Sequence, residues 1–210
     1  SPCLTGRRAD VPIYSLPQSI AQMLVGMKFH AGMLGCGIRK PVPQIEDLLT
    51  PSKRHVFVAC VHTENPDNIG AIVRIANGFG ATAVLLGPRC SDPFSRRAIR
   101  GSMGNALQIP ILELGDKLKP TLEWLRSEHQ AELFATVLDD RAEVLRETST
   151  DRNCVLVFGN ESIGLPPEWI DVCDRRLTIP MQNGTDSLNV SVACGIFLHH
   201  FTSASQAFGR

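Results

Sequence analysis

Ile179-Pro-Met-Gln-Asn-Gly-Thr-Asp-Ser-Leu-Asn-Val-Ser-Val-Ala193 is the stretch whose reading decides the fold. Leu177 to Ile179 has the apolar character of a buried strand, Pro180 forbids its continuation, and Gln182 to Asp186 has the composition of an exposed loop. Asp186 or Ser187 is a natural N-cap for an apolar helix through Val190, Val192, Ala193, Ile196, Phe197 and Leu198. Free backbone N–H groups at such a helix start face the loop and suit a ligand site. The same residues also make an ordinary capped helix after a strand, so the stretch needs support from the rest of the chain.

Working outward, short apolar runs alternate with helical spacing from His55 onward. Val56 to Val61, Ala83 to Leu86, Ile109 to Leu114, Leu133 to Leu138 and Val155 to Phe158 read as buried strands. Between them, Ile69, Ile72, Val73 and Ala76 recur at helical spacing, and Leu118 to Glu128, a weaker Ala142 to Arg146 and Pro167 to Cys173 are the other helix candidates. Strands that are nearly all apolar and alternate with helices imply an α/β fold: a mostly parallel sheet flanked by helices on both faces. Residues 1 to 50 read differently. Ile20 to Phe29 is a candidate amphipathic helix, and the Gly-rich run from Gly32 to Gly37 leads into Arg39-Lys-Pro-Val-Pro43, a linker or domain edge.

Composition narrows the function classes. Of 210 residues, 43% are hydrophobic and 20% charged, which excludes a disordered class, and no apolar run approaches the length of a membrane span. Seven cysteines, Cys3, Cys36, Cys60, Cys90, Cys154, Cys173 and Cys194, are scattered without a C-x-x-C pair or a nearby Cys/His cluster, so neither a disulfide framework nor a zinc site is expected. Free thiols inside apolar runs fit a reducing, cytoplasmic setting. Net charge is zero, which argues against sequence-blind nucleic-acid binding, although Arg96, Arg97 and Arg100 cluster locally. Arg39-Lys40, Lys53-Arg54 and Arg175-Arg176 read as solvated surface charges. His199 and His200 lack a metal-ligand partner at the right spacing and read as core or helix-end residues.

Ligands of parallel sheets bind at the carboxyl ends of strands, and three polar loops lie there. One holds Asn65-Pro-Asp-Asn-Ile-Gly70, one Gly159-Asn-Glu-Ser-Ile-Gly164, and the third is the opening stretch. None carries a G-x-G-x-x-G or P-loop pattern, which disfavours a dinucleotide or nucleotide-triphosphate fold. Together they resemble the three motifs of the SpoU-type (TrmH-like) RNA ribose 2′-O-methyltransferases of the SPOUT superfamily. Asn68-Ile-Gly-Ala-Ile-Val-Arg-Ile-Ala-Asn-Gly-Phe-Gly80 is similar to motif one and Val157-Phe-Gly-Asn-Glu-Ser-Ile-Gly-Leu165 to motif two. Ile179-Pro-Met with Ser187-Leu-Asn-Val-Ser-Val-Ala193 is similar to motif three. The order is right, and the resemblance covers about residues 55 to 203.

The resemblance implies a C-terminal deep trefoil knot, S-adenosyl-L-methionine bound in a bent form, an RNA substrate, ribosomal or transfer, and a homodimer whose active site draws on both subunits. It also implies that Tyr14 to Leu49 is the end of a small L30e-like substrate-binding domain whose beginning is missing. Residues 1–50 are then that remnant with its linker, and residues 51–210 the methyltransferase domain. By resemblance the catalytic residues are Asn68, Arg74, Glu161, Ser187 and Asn189, without a metal. Thr136, Gly159, Ile179, Met181 and Leu188 would bind the cofactor, and Arg96, Arg97, Arg100 and Ser102 the RNA. A guanidinium does not give up its proton, so Arg74 is expected to stabilise a developing alkoxide and to grip a phosphate. The competing class is a knotted RNA-binding or assembly factor without catalysis, against which the joint presence of Asn68, Arg74, Glu161 and Asn189 speaks.

Overall fold

Among the described residues seven strands form one wholly parallel sheet in the order β3-β2-β1-β6-β4-β7-β5. The computed structural model describes residues 11–25 and 32–206, with side chains through 202. The strands are β1 (Val56–Cys60), β2 (Ala83–Leu86), β3 (Ile111–Glu113), β4 (Glu132–Thr136), β5 (Glu143–Val144), β6 (Cys154–Phe158) and β7 (Arg175–Thr178). The helices are α1 (Gln18–Val25), α2 (Pro66–Gly78), α3 (Arg96–Gly101), α4 (Leu118–His129), α5 (Pro167–Ile170) and α6 (Val190–Gln206). Every residue of β1, β2 and β6 is buried, the signature of a sheet covered on both faces.

The period-2 alternation sorts the core into two layers. Val56, Val58 and Cys60 pack with Ile69, Ile72, Val73, Phe197 and Leu198 on the face that carries α2 and α6. Phe57, Ala59 and Val61 pack with Leu118, Leu122, Leu125 and Trp169 on the face that carries α4 and α5. On the first face α3 lies against α2. A Cβ on Gly70 would sit 2.5 Å from the Ala98 carbonyl oxygen, so only glycine admits this approach.

The chain divides into two compact units, Ser1–Lys40 and Pro41–Arg210. Of the first, the helix expected at Ile20 to Phe29 is realised as Gln18–Val25, and its predicted end lies outside the described residues. The division falls before residue 50 because Ile45 is buried in the layer that carries α4, with Leu48 and Leu49 packed against it.

Four local expectations are corrected. Ala142 to Arg146 is not a helix: Glu143–Val144 adds the edge strand β5 beside β7, followed by a 3-10 turn over Leu145–Glu147. Arg175 of β7 ties this edge together: it binds Glu132 at 3.0 Å and Glu143 at 2.5 Å and lies 5.4 Å from the Phe134 ring centroid. Arg175 and Arg54 are therefore not plain surface charges, since Arg54 donates from Nη1 to the Phe201 carbonyl at 2.6 Å. The helix expected over Pro167 to Cys173 stops at Ile170. Finally, α6 starts at Val190 and is capped by neither Asp186 nor Ser187: Asn189 Oδ1 accepts from Ser191 N at 2.9 Å. Among the described residues no helix is long and apolar enough to cross a membrane.

Candidate active site

The three polar loops converge at the carboxyl ends of β1, β6 and β7, at the point where the strand order reverses between β1 and β6. A chain of side-chain hydrogen bonds ties them together. Asn68, in the first turn of α2, donates from Nδ2 to Glu161 Oε1 at 2.5 Å. Its own Oδ1 accepts from Asn189 Nδ2 at 3.0 Å. Asn189 Oδ1 in turn accepts from Ser191 Oγ at 2.6 Å and from the Ser191 backbone. The bond to a charged acceptor fixes the Asn68 amide so that both its ends are used. The second oxygen of Glu161 carries no protein hydrogen bond among the described residues, and Glu161 is exposed.

Local sequence explains each position. Asn65 Oδ1 accepts from Asp67 N at 3.0 Å and Pro66 opens the helix, which sets Asn68 at the helix start. After β6, a Cβ on Gly159 would lie 2.3 Å from the Gly164 carbonyl, so the loop folds back over a residue without a side chain. In the third loop Asn183 and Gly184 both take positive φ, 58° and 71°, and Thr185 N donates to Gln182 O at 3.1 Å. That is the Asn-Gly form of a tight type I′ turn.

A cleft of about 760 Å³ opens over β6, β4 and β7 beside this network. All five residues expected to hold the cofactor line it: Thr136, Gly159, Ile179, Met181 and Leu188. Glu161 and Ser187 line it as well. Thr136 Oγ1 donates to the Val157 carbonyl at 2.9 Å, which leaves its oxygen as an acceptor toward the cleft. Phe158, Val190 and Phe197 form an inner apolar wall, suited to a flat heteroaromatic group. On the rim, the backbone N–H of Arg141 and then its side chain hold the Asp139 carboxyl below its ordinary range, with Arg176 adding to the effect.

Arg74 stands apart. It is exposed, is not among the residues that wall the cleft, and makes no hydrogen bond or ion pair among the described residues. Six residues past Asn68, it lies about 9 Å along the helix and about 120° around it. The expected RNA contacts divide in two. Arg96 and Arg100 are exposed on α3, whereas Arg97 bridges to Asp67 on α2 and holds that carboxyl below its usual value. Ser102 is fully buried, and its hydroxyl donates to Ile99 O at 2.9 Å and accepts from Ala106 N at 3.3 Å, so it closes the end of α3 and is not presented to a ligand.

Asn160, given no role in the sequence, clamps the loop: Nδ2 donates to the His62 carbonyl at 2.8 Å, and Oδ1 accepts from Ser162 N at 2.8 Å. Its Asn-x-x backbone-bonding pattern was the available signal. Ser191, to which the sequence assigns no role, is the residue that Asn189 caps, through both its backbone N–H and its hydroxyl. Among the described residues no cluster of three metal-binding side chains occurs.

A family model described as the SpoU rRNA Methylase family matches residues 55–199. An uncharacterized tRNA/rRNA methyltransferase of Mycobacterium bovis is 31% identical over 202 residues, covering 94% of this chain and 68% of that protein. A 23S rRNA (guanosine-2′-O-)-methyltransferase of Acinetobacter baylyi is 28% identical over 181 residues, covering 85% of this chain and 73% of the relative. Among solved structures, the AdoMet-bound rRNA methyltransferase of Sinorhizobium meliloti superposes with a TM-score of 0.67 at 29% identity, over 77% of this chain and 60% of its own. The chain thus spans less than two thirds of that solved structure. With its motif loops joined at one end of a parallel sheet and the family match running through all three, the chain belongs to the SpoU rRNA methylase family.

Proposed function

We propose that the protein is an S-adenosyl-L-methionine-dependent RNA methyltransferase that acts on a ribose 2′-hydroxyl. The observation that carries this reading is the bonded chain Glu161–Asn68–Asn189, which links the three loops at the mouth of a cleft lined by every expected cofactor residue. The cleft fits the cofactor: its inner wall is apolar, and the glycine at 159 lets backbone groups approach closely. When bound, S-adenosylmethionine supplies the methyl group on a positively charged sulfur. The chain's residues do the rest. Asn68 holds one oxygen of Glu161, a residue that lines the cleft, which leaves the other oxygen to accept the proton that a ribose 2′-hydroxyl would give up on methylation. The Arg74 guanidinium stabilises the developing alkoxide and holds the neighbouring phosphate.

Because Arg74 is exposed and does not wall the cleft that Glu161 lines, we infer that the site is completed by the Arg74 of a second copy and that the working unit is a homodimer. The apolar stripe Val192 and Ile196 on α6, joined by Phe79 at the end of α2, is the contact between copies. The trefoil knot implied by the family belongs to this reading, as do Arg96 and Arg100 as contacts to RNA phosphate. A Sinorhizobium relative crystallised with AdoMet and an Acinetobacter relative named for guanosine 2′-O-methylation of 23S rRNA support it.

The deciding experiment is transfer of labelled methyl from S-adenosylmethionine to unmodified total RNA, fractionated by size and digested to nucleosides. Label in a 2′-O-methylnucleoside is the expected result, and the labelled fraction names ribosomal or transfer RNA. Label in a methylated base would overturn the ribose assignment. Absence of both label and calorimetric cofactor binding would leave a binding factor instead.

A further inference from the structure

The loop after β6 presents one residue that neither the fold nor the cofactor reading uses. Asn160 and Gly164 pair in both directions, N to O at 2.9 Å each way. Asn160 Oδ1 also accepts from Ser162 N at 2.8 Å and Ile163 N at 3.3 Å, while its Nδ2 is anchored on the His62 carbonyl. Gly164 at φ 71° closes the turn over Gly159. These bonds, within the loop and to the His62 carbonyl, hold its tip in place. At that tip Ile163 is 71% exposed while lining the cleft.

An isoleucine held in water by a fixed loop gains nothing for the fold, because its methyl groups stay hydrated. Its place is informative. It lies two residues from Glu161, on the open side of the cleft rather than against the inner wall of Phe158, Val190 and Phe197. Leu138, from the loop after β4, lines the same cleft and is 65% exposed. The Arg141 side chain beside it is 91% exposed, and its 3.4 Å pairing with Asp139 is of the weak surface kind. Aliphatic surface with a guanidinium alongside is the chemistry that receives an unstacked nucleotide: the base face packs on carbon and the phosphate on nitrogen.

Resting on the methyltransferase reading above, we propose that Ile163, with Leu138 of the same cleft, is the platform on which the base of the methylated nucleotide packs. The base is thereby held while its ribose reaches Glu161. The platform reads a flat apolar face without hydrogen bonding to the base, so it favours a single-stranded or extruded nucleotide over a paired one.

The test compares Ile163→Ala, Ile163→Asp and Ile163→Leu for methylation of unmodified transcribed RNA at limiting concentration. Cofactor affinity by calorimetry and dimer content by gel filtration are measured in parallel. The Ala and Asp variants should lose about tenfold or more in kcat/KM for RNA, mainly through KM, since a lost base contact has roughly that effect. The Leu variant should stay within about twofold of wild type, with cofactor affinity and dimer content unchanged in all three. Full kcat/KM in Ile163→Ala would overturn the platform. So would an equal loss of cofactor affinity, which would assign Ile163 to the cofactor, or a loss of dimer, which would assign it to the partner. If the wild-type chain itself transfers no methyl to a ribose, the methyltransferase reading fails first and takes the platform with it.

Discussion

Asn68 is the residue through which the three loops communicate, because its amide donates to Glu161 and accepts from Asn189 at the same time. Replacing it by aspartate keeps the shape and the acceptor toward Asn189 but sets a second carboxylate against Glu161. Two carboxylates at hydrogen-bond distance hold one proton between them, and a Glu161 that carries this proton for part of the time is a poorer acceptor. Asn68→Asp is expected to lower kcat at neutral pH by about 10²-fold or more, the usual worth of a positioned general base. Cofactor affinity should stay nearly unchanged, because Asn68 does not line the cleft. Single-turnover rates and calorimetry on the same preparation check both halves, and a fully active Asn68→Asp would remove Glu161 from the proton's path. The resemblance names Asn68, Glu161 and Asn189, and the structure joins the three by hydrogen bonds. What pairwise spacing does not encode is that residues 93 and 121 positions apart meet through one amide.

At the scale of elements, β5 is the weak edge of the sheet: two residues long, exposed on one side, and held by the Arg175 ion pairs. The hydrogen bond from Arg175 holds the Glu143 carboxyl below its usual value. A depressed carboxyl contributes stability at pH above its ordinary value near 4.5, and that contribution is lost as pH falls through the lowered folded value. Glu143→Gln should therefore be less stable than wild type at pH 7, by a margin that is smaller near pH 3. The difference at neutral pH is of order 1 kcal/mol or below, since the pair is half exposed. Urea midpoints at the two pH values decide it, and equal midpoints at pH 7 would mean that backbone pairing alone holds the strand. This element is also where sequence reasoning failed. Ala142 to Arg146 has helical polarity, and only the distant Arg175 and the open edge of β7 make it a strand. The core strands were legible because each is apolar throughout, a pattern that needs no partner to be recognised. The start of α6 was misplaced by a few residues because Asp186, Ser187 and Asn189 are all good caps, and the bond to Asn68 selects the last.

At the scale of the whole molecule, the separation of Arg74 from Glu161 leads to a test that mutation of one chain cannot give. In the homodimer proposed above, the second copy packs on the exposed residues Val192, Ile196 and Phe79, the last with His199 edge-on at 6.0 Å. If each site takes Glu161 from one copy and Arg74 from the other, then Arg74→Ala and Glu161→Gln are each inactive alone, and each homodimer has two damaged sites. Mixing the two under conditions that exchange subunits makes heterodimers in which one site carries both substitutions and the other carries neither. With random pairing half the dimers are mixed and half of their sites are intact, so activity should return to about a quarter of wild type. A site built within one chain gives no such recovery, because every site in the mixture would still lack one group. Ile196→Asp on both chains supplies the control, since a charge on the stripe blocks association and should abolish the recovery as it abolishes the dimer in gel filtration. Recovery to about a quarter of wild-type methyl transfer, lost with Ile196→Asp, is the expected pair of results. No recovery in a mixture that demonstrably contains heterodimers would place Arg74 and Glu161 in one chain's site and require α2 to turn before the chemistry.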